Sequence, residues 1–363
     1  MATSALDGFV IGVTADRRAD EQIELLRRHG ARSLHGPTMR TLPLVADGKL
    51  RAATEALIAT PPDVVLANTA LGIRAWLSAA ESWGLGEDLA EVLRGAEIVA
   101  RGPKAAGSLV TLGCSVRWKG PTGRLSEVID HLRARPLDGV RVASQRDGSE
   151  VDEAALALRS AGADVVEVET YKWLRPEDET PAARLLDAIC ERTVDAVTFT
   201  SRAAIVNLFA LADERGQTDG VRAACVRSVV PVCVGPVCHE AAIAHGLTDA
   251  VAPARSVLGA MVNAAVDALA SRRVQVGQLD LAGTVARVGD ARIELTAREA
   301  AVLRVLAARA GTVVPKSALL KDVWGDAGDA HALEMTVSRL RRQLAPTGVE
   351  IQTVIRRGYM LPG

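Results

Sequence analysis

The first 270 residues contain an internal duplication, and this repeat constrains the fold more strongly than any other feature of the sequence. The run Asp63–Thr69 is matched by Asp195–Ser201, 132 positions later. Gly102-Pro103 is matched by Gly235-Pro236, 133 positions later. A further strand–helix unit recurs at almost the same offset, so three units keep both their order and their spacing. We therefore expect two copies of one supersecondary arrangement.

Each repeated unit has the sequence form of a β-strand followed by an α-helix. A short run rich in Val and Ile comes first, then a turn of small residues, and then a helical pattern that ends at glycine. Alternating strands and helices form a parallel sheet with helices on both of its faces. The predicted fold class is therefore α/β, with a body of two parallel-sheet lobes.

Polar side chains follow the predicted strands at their carboxyl ends, which is where open α/β sheets bind ligands. The helix N-termini beside these ends offer free N–H groups that favour anions. The alternative for each hydroxyl or amide is a simple helix cap, because Ser, Thr and Asn are frequent N-caps. We predict a cleft for a ligand bearing several carboxylates, lined by Thr14, Arg17, Asn68, Thr69, Arg101, Gly102, Gln145, Arg146, Thr200, Ser201, Gly235 and Cys238.

The five cysteines are an odd number without a short framework spacing, which is typical of reduced thiols in the cytosol. Cys233, Cys238 and His239 leave a metal site open as an alternative, since two thiols and an imidazole lie close in sequence. No second close pair follows them, and buried thiols beside a strand are the commoner case. We predict no metal site.

The sequence predicts neither a membrane-spanning helix nor a signal peptide. It contains no run of 18 apolar residues, and its first residues carry Asp7 without a basic region. The net charge of −1 conceals an asymmetry, because residues 273–363 carry 13 basic and only 9 acidic residues. A basic terminal module on an acidic body indicates one part that faces a polyanion. We expect a cytoplasmic protein.

Residues 272–363 have the pattern of a separate module in which short strands precede three helices. Thr296 and Glu299 form a capping box that opens the first helix, and Pro315 starts the second. Glycine turns separate the three strands predicted before them, which are Val274–Leu281, Thr284–Val288 and Ala291–Leu295.

The third predicted helix, Ala330–Leu344, carries apolar residues on one narrow face and basic residues on the opposite face. A hairpin with Arg356 and Arg357 at its tip follows it. A solvated charged face is the default interpretation of such a helix alone, but a helix with a basic wing beside it favours insertion into the major groove. The predicted DNA-binding residues are His331, Glu334, Met335, Ser338, Arg339, Arg341, Arg342, Arg356 and Arg357.

Residues 7–270 resemble uroporphyrinogen-III synthase. Four segments carry the resemblance: VDAVTFTSRAAIVNLF (194–209), VCVGPVCHEAAIAHGL (232–247), IVARGPKAAGSLVTLG (98–113) and VEVETYKW (166–173). It implies two α/β lobes joined by a two-stranded connector, with the chain leaving the first lobe near Pro37 and returning near Tyr171. The family enzyme closes hydroxymethylbilane, a linear tetrapyrrole with many carboxylates, and inverts its last ring without a cofactor.

The resemblance gives Tyr171 a role as general acid near the leaving hydroxyl, the alternative being a packed aromatic on the connector strand. Departures from the family pattern weaken the case for turnover. Ala105 and Cys238 stand where the family commonly has Thr, and Arg17 is displaced from its usual place after Thr14. Methyl and thiol groups hydrogen-bond a carboxylate poorly or not at all.

Residues 273–363 closely resemble the OmpR-type winged-helix effector domain of response regulators. The carriers are LTAREAAVLRVLAARAGTVVPKSALLKDVWG (295–325), LEMTVSRLRRQL (333–344) and IQTVIRRGYML (351–361). The resemblance implies base contacts from Glu334 and Arg339 and phosphate contacts from neighbouring positions and the wing. The wing departs from the pattern at Ile355-Arg356 and at Met360, so the sequence preference does not transfer.

These observations predict three domains: residues 1–37 with 172–271, residues 38–171, and residues 272–363. The predicted function is a DNA-binding transcriptional regulator whose synthase-like body senses a tetrapyrrole or a related polycarboxylate. The alternative is an active uroporphyrinogen-III synthase, a hydro-lyase, that carries a DNA-binding tail. The expected partners are double-stranded DNA and a cyclic or linear tetrapyrrole, with no membrane and no cofactor, and a homodimer on DNA is left open.

Overall fold

The computed structural model describes residues 4–46, 48–149, 151–325 and 328–363. The chain divides into two compact units: Met1–Thr38 with Glu177–Gly363, which we call unit 1, and Met39–Pro176, which we call unit 2. In the described ranges no helix has both the length and the apolar character needed to cross a bilayer. The division into three domains at residues 37, 171 and 271 stays a prediction.

The helices and strands follow one another in an alternating order. Residues up to 38 form β1 (Val10–Val13), α1 (Ala19–Arg28) and β2 (Arg32–His35). Unit 2 contains β3 (Arg40–Pro43), α2 (Gly48–Ala59), β4 (Val64–Ala67), α3 (Ala70–Ser82), α4 (Gly86–Gly95), β5 (Glu97–Ala100), α5 (Pro103–Val110), β6 (Val116–Lys119), α6 (Leu125–Arg133), β7 (Arg141–Gln145), α7 (Glu153–Arg159), β8 (Asp164–Val168) and β9 (Tyr171–Leu174). Unit 1 continues with α8 (Thr180–Cys190), β10 (Ala196–Phe199), α9 (Arg202–Glu214), α10 (Thr218–Arg227), β11 (Val230–Cys233), α11 (Pro236–Ala244) and α12 (Leu258–Ala270).

The carboxyl-terminal part of unit 1 has shorter elements. They are β12 (Val274–Val276), β13 (Leu279–Ala282), β14 (Val285–Val288), β15 (Ala291–Glu294), α13 (Ala297–Ala307), α14 (Lys316–Trp324), α15 (Ala330–Leu344), β16 (Gln352–Val354) and β17 (Gly358–Met360).

The two parallel sheets share one strand order, which explains the internal duplication. In unit 1 the order is β2-β1-β10-β11, and in unit 2 it is β8-β7-β4-β5-β6. β1 therefore corresponds to β7, while β10 and β11 correspond to β4 and β5. The pairing of β1 with β10, in the register Ile11 to Ala196, joins strands from different repeats. The predicted α/β fold with parallel sheets is confirmed.

Burial of the central strands follows from helices covering both faces of each sheet. Every residue of β4, β10 and β11 is buried, as expected for parallel strands packed on two sides. Aromatic residues make up only 3% of the sequence, so the cores consist mainly of aliphatic side chains. Trp76 of unit 2 is an exception: it is fully buried and donates its Nε1–H to Thr54 Oγ1 at 2.9 Å. In the same unit β3 and β9 form an antiparallel ribbon.

The terminal module is a winged helix with an antiparallel four-stranded sheet before its helices. The predicted strand Val274–Leu281 was wrong as a single element, because it consists of β12 and β13 with a turn between them. Gly277 turns the chain there with a φ of +55°, a conformation that glycine adopts cheaply. The capping box of Thr296 and Glu299 and the third helix at Ala330–Leu344 are confirmed.

The amino-terminal sheet of the winged helix packs against the parallel sheet of unit 1. Ala282 lies in the same buried cluster as Phe9 and Ile11. Gly8 permits this approach, because a Cβ on it would lie 2.6 Å from the Ala282 carbonyl oxygen. Arg287 and Arg292 both pair with the Asp7 carboxylate. Although burial opposes the effect, their hydrogen bonds lower the pKa of Asp7.

Candidate ligand and nucleic-acid sites

In unit 2, polar residues at the ends of β4, β5 and β7 are joined by hydrogen bonds. Gln145 is fully buried, and its Oε1 accepts the backbone N–H groups of Asn68 at 3.1 Å and Thr69 at 2.8 Å. The Arg101 guanidinium donates to Asn68 Oδ1 at 3.1 Å and pairs with Asp147 at 3.1 Å. The structure therefore brings together four residues predicted for one site and adds Asp147 to them.

Two further predicted residues of unit 2 are also engaged within the unit. Arg146 has a side chain only 13% exposed and pairs with Glu169 at 3.2 Å and with Glu167 at 3.4 Å. Gly102 is the N-cap residue of α5, which places the first turn of that helix beside Arg101. The carboxylates that compensate Arg101 and Arg146 were not predicted from the sequence, although Asp147 lies only two residues beyond the end of β7.

Tyr171 lies at the start of β9 and is buried, with 3% of its surface exposed. Its hydroxyl is 3.1 Å from the hydroxyl of Thr69. Thr69 also caps α3, since its Oγ1 accepts the Gly72 N–H at 3.0 Å. Thr69 is therefore the N-cap of α3, and Tyr171 adds a phenolic hydroxyl beside that helix N-terminus.

In unit 1 the predicted hydroxyls take part in local structure. Thr14 is fully buried and donates its hydroxyl to the Thr198 carbonyl at 2.7 Å. Ser201 caps α9 by accepting the Ala204 N–H at 3.1 Å. Of the other predicted residues of this unit, Arg17 is exposed, Thr200 is half-buried and Cys238 is buried. Gly235 is the N-cap residue of α11.

The cysteines beside β11 pack as buried thiols. Cys238 donates to the Phe199 carbonyl at 3.4 Å, and the His239 ring lies 3.0 Å from the Ala250 carbonyl. The hydrogen bond with Cys238 and then burial raise the pKa of Cys233, whereas a metal ligand must be a thiolate. Within the ranges that the structure describes, no three His, Cys, Asp or Glu side chains are grouped so that they could hold a metal ion.

The third helix of the winged module has the amphipathic arrangement that its sequence predicts. Four residues bury one face: Leu333, Val337, Leu340 and Leu344. Six of the predicted DNA-binding residues are exposed on this helix: His331, Glu334, Met335, Ser338, Arg339 and Arg342. Asp329 caps the helix by accepting the Ala332 N–H at 2.7 Å. The buried stripe holds α15 against the core, so that its basic face is directed away from that core.

Arg341 differs from the other predicted DNA-binding residues because it ties the helix to the wing. Its Nε donates to the Ile351 carbonyl at 2.7 Å, and its Nη2 donates to Thr353 Oγ1 at 2.6 Å. Arg356 and Arg357 are exposed at the hairpin tip, where Arg356 has a φ of 59°. Arg341 therefore sets the position of these two guanidiniums relative to α15.

Glu334 on the exposed face is already paired. Lys316 at the start of α14 donates to its Oε1 at 2.6 Å, and this hydrogen bond lowers the pKa of the Glu334 carboxyl. A charged carboxylate accepts hydrogen bonds from base amino groups such as that of cytosine.

Comparison with known proteins identifies both parts of the chain. Residues 20–263 match the family model described as uroporphyrinogen-III synthase HemD. The chain belongs to the uroporphyrinogen-III synthase family. Residues 290–361 match the model described as transcriptional regulatory protein, C terminal, and this part is an OmpR-type DNA-binding domain.

Individual proteins are similar to different shares of the chain. A mutant uroporphyrinogen III synthase from the extremely thermophilic bacterium Thermus thermophilus is 26% identical, with a TM-score of 0.61, over 72% of this chain and 99% of that one. The uncharacterized protein YjjA of Bacillus subtilis is 26% identical over 70% of this chain and 94% of its own length. Protein PetR of Rhodobacter capsulatus is 39% identical over 84 residues, which cover 20% of this chain and 35% of PetR.

Two helix N-termini lack the hydroxyl that the sequence resemblance leads us to expect there. Ala105 and Cys238 lie in the first turns of α5 and α11 and are both only 3% exposed. Neither side chain supplies an accessible hydroxyl to a carboxylate. At position 105 or 238 the side chain therefore offers no hydroxyl, and the backbone N–H groups of the first helical turn are the donors.

Removing the Tyr171 hydroxyl tests the hydrogen bond that holds this tyrosine within unit 2. We expect Tyr171→Phe to lower the free energy of unfolding by about 1 kcal/mol, because one partly buried hydrogen bond to Thr69 is lost. Chemical denaturation of both proteins measures the difference. Lys172→Ala, at the next and more exposed position of β9, is the control. An unchanged free energy for Tyr171→Phe contradicts the assigned bond.

Proposed function

We propose that the chain is a DNA-binding transcriptional regulator whose synthase-like body senses a tetrapyrrole or a related polycarboxylate. The observation that carries the proposal is the exposed basic face of α15, opposite a fully buried leucine-rich stripe and next to the arginine-tipped wing. A specific DNA reader joined to a ligand-binding fold is useful when occupancy of one part changes the affinity of the other.

The DNA-binding residues divide by the kind of contact that each supports. Arg339 is exposed in the middle of α15, and in this proposal it reads a guanine edge in the major groove. Arg342, Arg356 and Arg357 contact phosphates, which fix the position of the protein without reading the sequence. Arg341 holds the wing in the geometry that lets helix and hairpin meet one duplex.

The ligand part of the proposal is supported by the charges at the sheet edge of unit 2. Arg101 is paired with Asp147, and Arg146 is paired with Glu167 and Glu169. A ligand carboxylate that binds the guanidinium of Arg101 or Arg146 displaces the acidic side chain now paired with it. This displacement changes the local packing. Such an exchange suits a sensor better than a rigid catalytic site, which needs groups that are preorganised for the transition state.

Product analysis distinguishes sensing from turnover. Purified protein is mixed with hydroxymethylbilane, and the uroporphyrinogen isomers are separated. We expect only isomer I, which forms without an enzyme. Isomer III produced at enzymatic rates supports instead an active synthase with a DNA-binding tail, the alternative that the family membership makes reasonable.

The salt dependence of DNA binding tests the phosphate contacts. Each phosphate contact contributes about −0.9 to the slope of log K against log salt concentration. The double substitution Arg356→Ala with Arg357→Ala should therefore make the slope less negative by about 1.8. Fluorescence anisotropy at several salt concentrations measures it. An identical slope for the variant contradicts the contribution of the wing.

A further inference from the structure

Unit 1 contains a cavity between its parallel-sheet part and its winged helix. The volume is about 1140 Å³, slightly above the range of about 300–1,000 Å³ that is usual for small-molecule sites. One side is formed by the end of α8, the end of α10 and the residues after α12, and the other by α13, α14 and α15. Six arginines line it: Arg192, Arg227, Arg272, Arg298, Arg304 and Arg339.

The carboxylates in the wall do not balance these six guanidiniums. Four acidic residues line the cavity against the six arginines. Asp195 accepts the Val10 N–H at 2.8 Å and acts through its charge on Arg272 and Arg304, whereas Glu299 holds the Thr296 cap and Asp322 pairs with Arg309 at 3.4 Å. The fourth, Glu191, is exposed. The cavity therefore carries an excess of positive charge.

Three of the arginines come from separate elements, and two of them repel the third. Arg192 follows α8, Arg227 ends α10 and Arg298 lies in the first turn of α13. Burial, followed by the charges of Arg227 and Arg298, lowers the pKa of Arg192. Arg298 is also unfavourable where it stands, because a helix N-terminus prefers an anion. The repulsion between these positive charges destabilises the protein alone, and a bound anion relieves it.

The backbone and a buried donor provide two further observations. Arg192 has a φ of 59°, a left-handed conformation that glycine usually occupies after a helix. The residue there is nevertheless an arginine, and its Nη2 donates to the Val323 carbonyl at 2.8 Å. The Nε–H of Arg304 is buried, and no acceptor for it is found in the described part of the chain. Both guanidiniums reach the cavity from opposite sides of the junction.

We propose that this cavity binds a small polyanion, with phosphate or carboxylate groups bridging Arg192, Arg227 and Arg298. The site is separate from the strand ends proposed for the tetrapyrrole. It also has a consequence for DNA binding, because Arg339 and Met335 of α15 form part of its wall. A polyanion that extends from these three arginines to Arg339 competes with the duplex for that guanidinium, so the effector and DNA weaken each other's binding.

Calorimetric titration of the full chain, without DNA, tests the site independently of the proposed regulatory function. The probes are inorganic tripolyphosphate and butane-1,2,3,4-tetracarboxylate. We expect one equivalent of at least one probe to bind. Arg227→Gln and Arg298→Gln should each raise the Kd at least tenfold. Arg133→Gln is the matched control, because Arg133, like Arg227, is an exposed arginine in the last turn of a helix.

The two probes also distinguish the class of effector. Binding of tripolyphosphate alone indicates a phosphorylated effector, binding of the tetracarboxylate alone indicates a polycarboxylate, and both support the site if the two variants weaken them. Circular dichroism confirms that each variant is folded. The proposal is overturned if neither probe binds, or if folded Arg227→Gln and Arg298→Gln proteins bind as tightly as the unchanged protein.

Discussion

Replacing Arg339 with glutamine is expected to reduce the preference for a specific site over random duplex by about 1–3 kcal/mol, the value of one good bidentate contact to guanine. Arg339 is exposed between the buried residues Val337 and Leu340, so its substitution leaves the core intact. Binding sites selected from a random duplex pool provide the specific DNA. Anisotropy titrations with selected and random duplexes measure the preference.

Arg342 is the matched control for this substitution, since it lies one turn further along the same exposed face. We expect Arg342→Gln to weaken binding to selected and random duplexes by the same factor, because a phosphate contact carries no sequence information. A full preference retained by Arg339→Gln, or lost equally in Arg342→Gln, contradicts the assignment of base reading to Arg339.

Truncating Leu340 is expected to cost about 2–5 kcal/mol of unfolding free energy, the range for leucine-to-alanine changes in a packed core. Leu340 is fully buried in one cluster with Leu303, Leu319 and Leu333, so all three helices of the winged module lose contacts. Because α15 is held in place by this cluster, DNA binding should weaken together with stability. Denaturant unfolding and anisotropy on the same preparation measure both effects.

The control for Leu340→Ala is Arg342→Ala, which removes a side chain from the exposed face of the same helix. Its free energy of unfolding should change by less than about 0.5 kcal/mol, as is usual at the surface. A cost below about 1 kcal/mol for Leu340→Ala is inconsistent with a residue packed on every side.

Features with a local period were predictable from the sequence. The 3.6-residue spacing of Leu333, Val337, Leu340 and Leu344 placed both ends of α15 correctly, because a single stripe is buried. The repeated strand–helix units likewise predicted two parallel sheets, because the alternation of strands and helices is also a local pattern. The prediction of one strand over Val274–Leu281 failed because apolar and polar residues alternate on both sides of Gly277, where the positive φ of this glycine reverses the chain.

Features that depend on contacts between distant residues were not predictable. Thr14 follows its strand as a ligand-binding hydroxyl would, but β1 pairs with β10, and the hydroxyl is bound to the Thr198 carbonyl. The arginines of the cavity are separated by up to 147 positions, from Arg192 to Arg339, and no periodicity links them. The acidic partner Asp147 did carry a signal, since it lies at the same strand end as Gln145.

The most direct test of the proposed regulator is the Kd of the full chain for its selected duplex, measured with and without saturating hydroxymethylbilane. The proposal predicts that the Kd changes by about 5- to 150-fold, the usual size of coupling between two sites on one protein. The same samples are analysed for uroporphyrinogen isomers. An unchanged Kd, accompanied by isomer III formed at enzymatic rates, would show a synthase rather than a sensor.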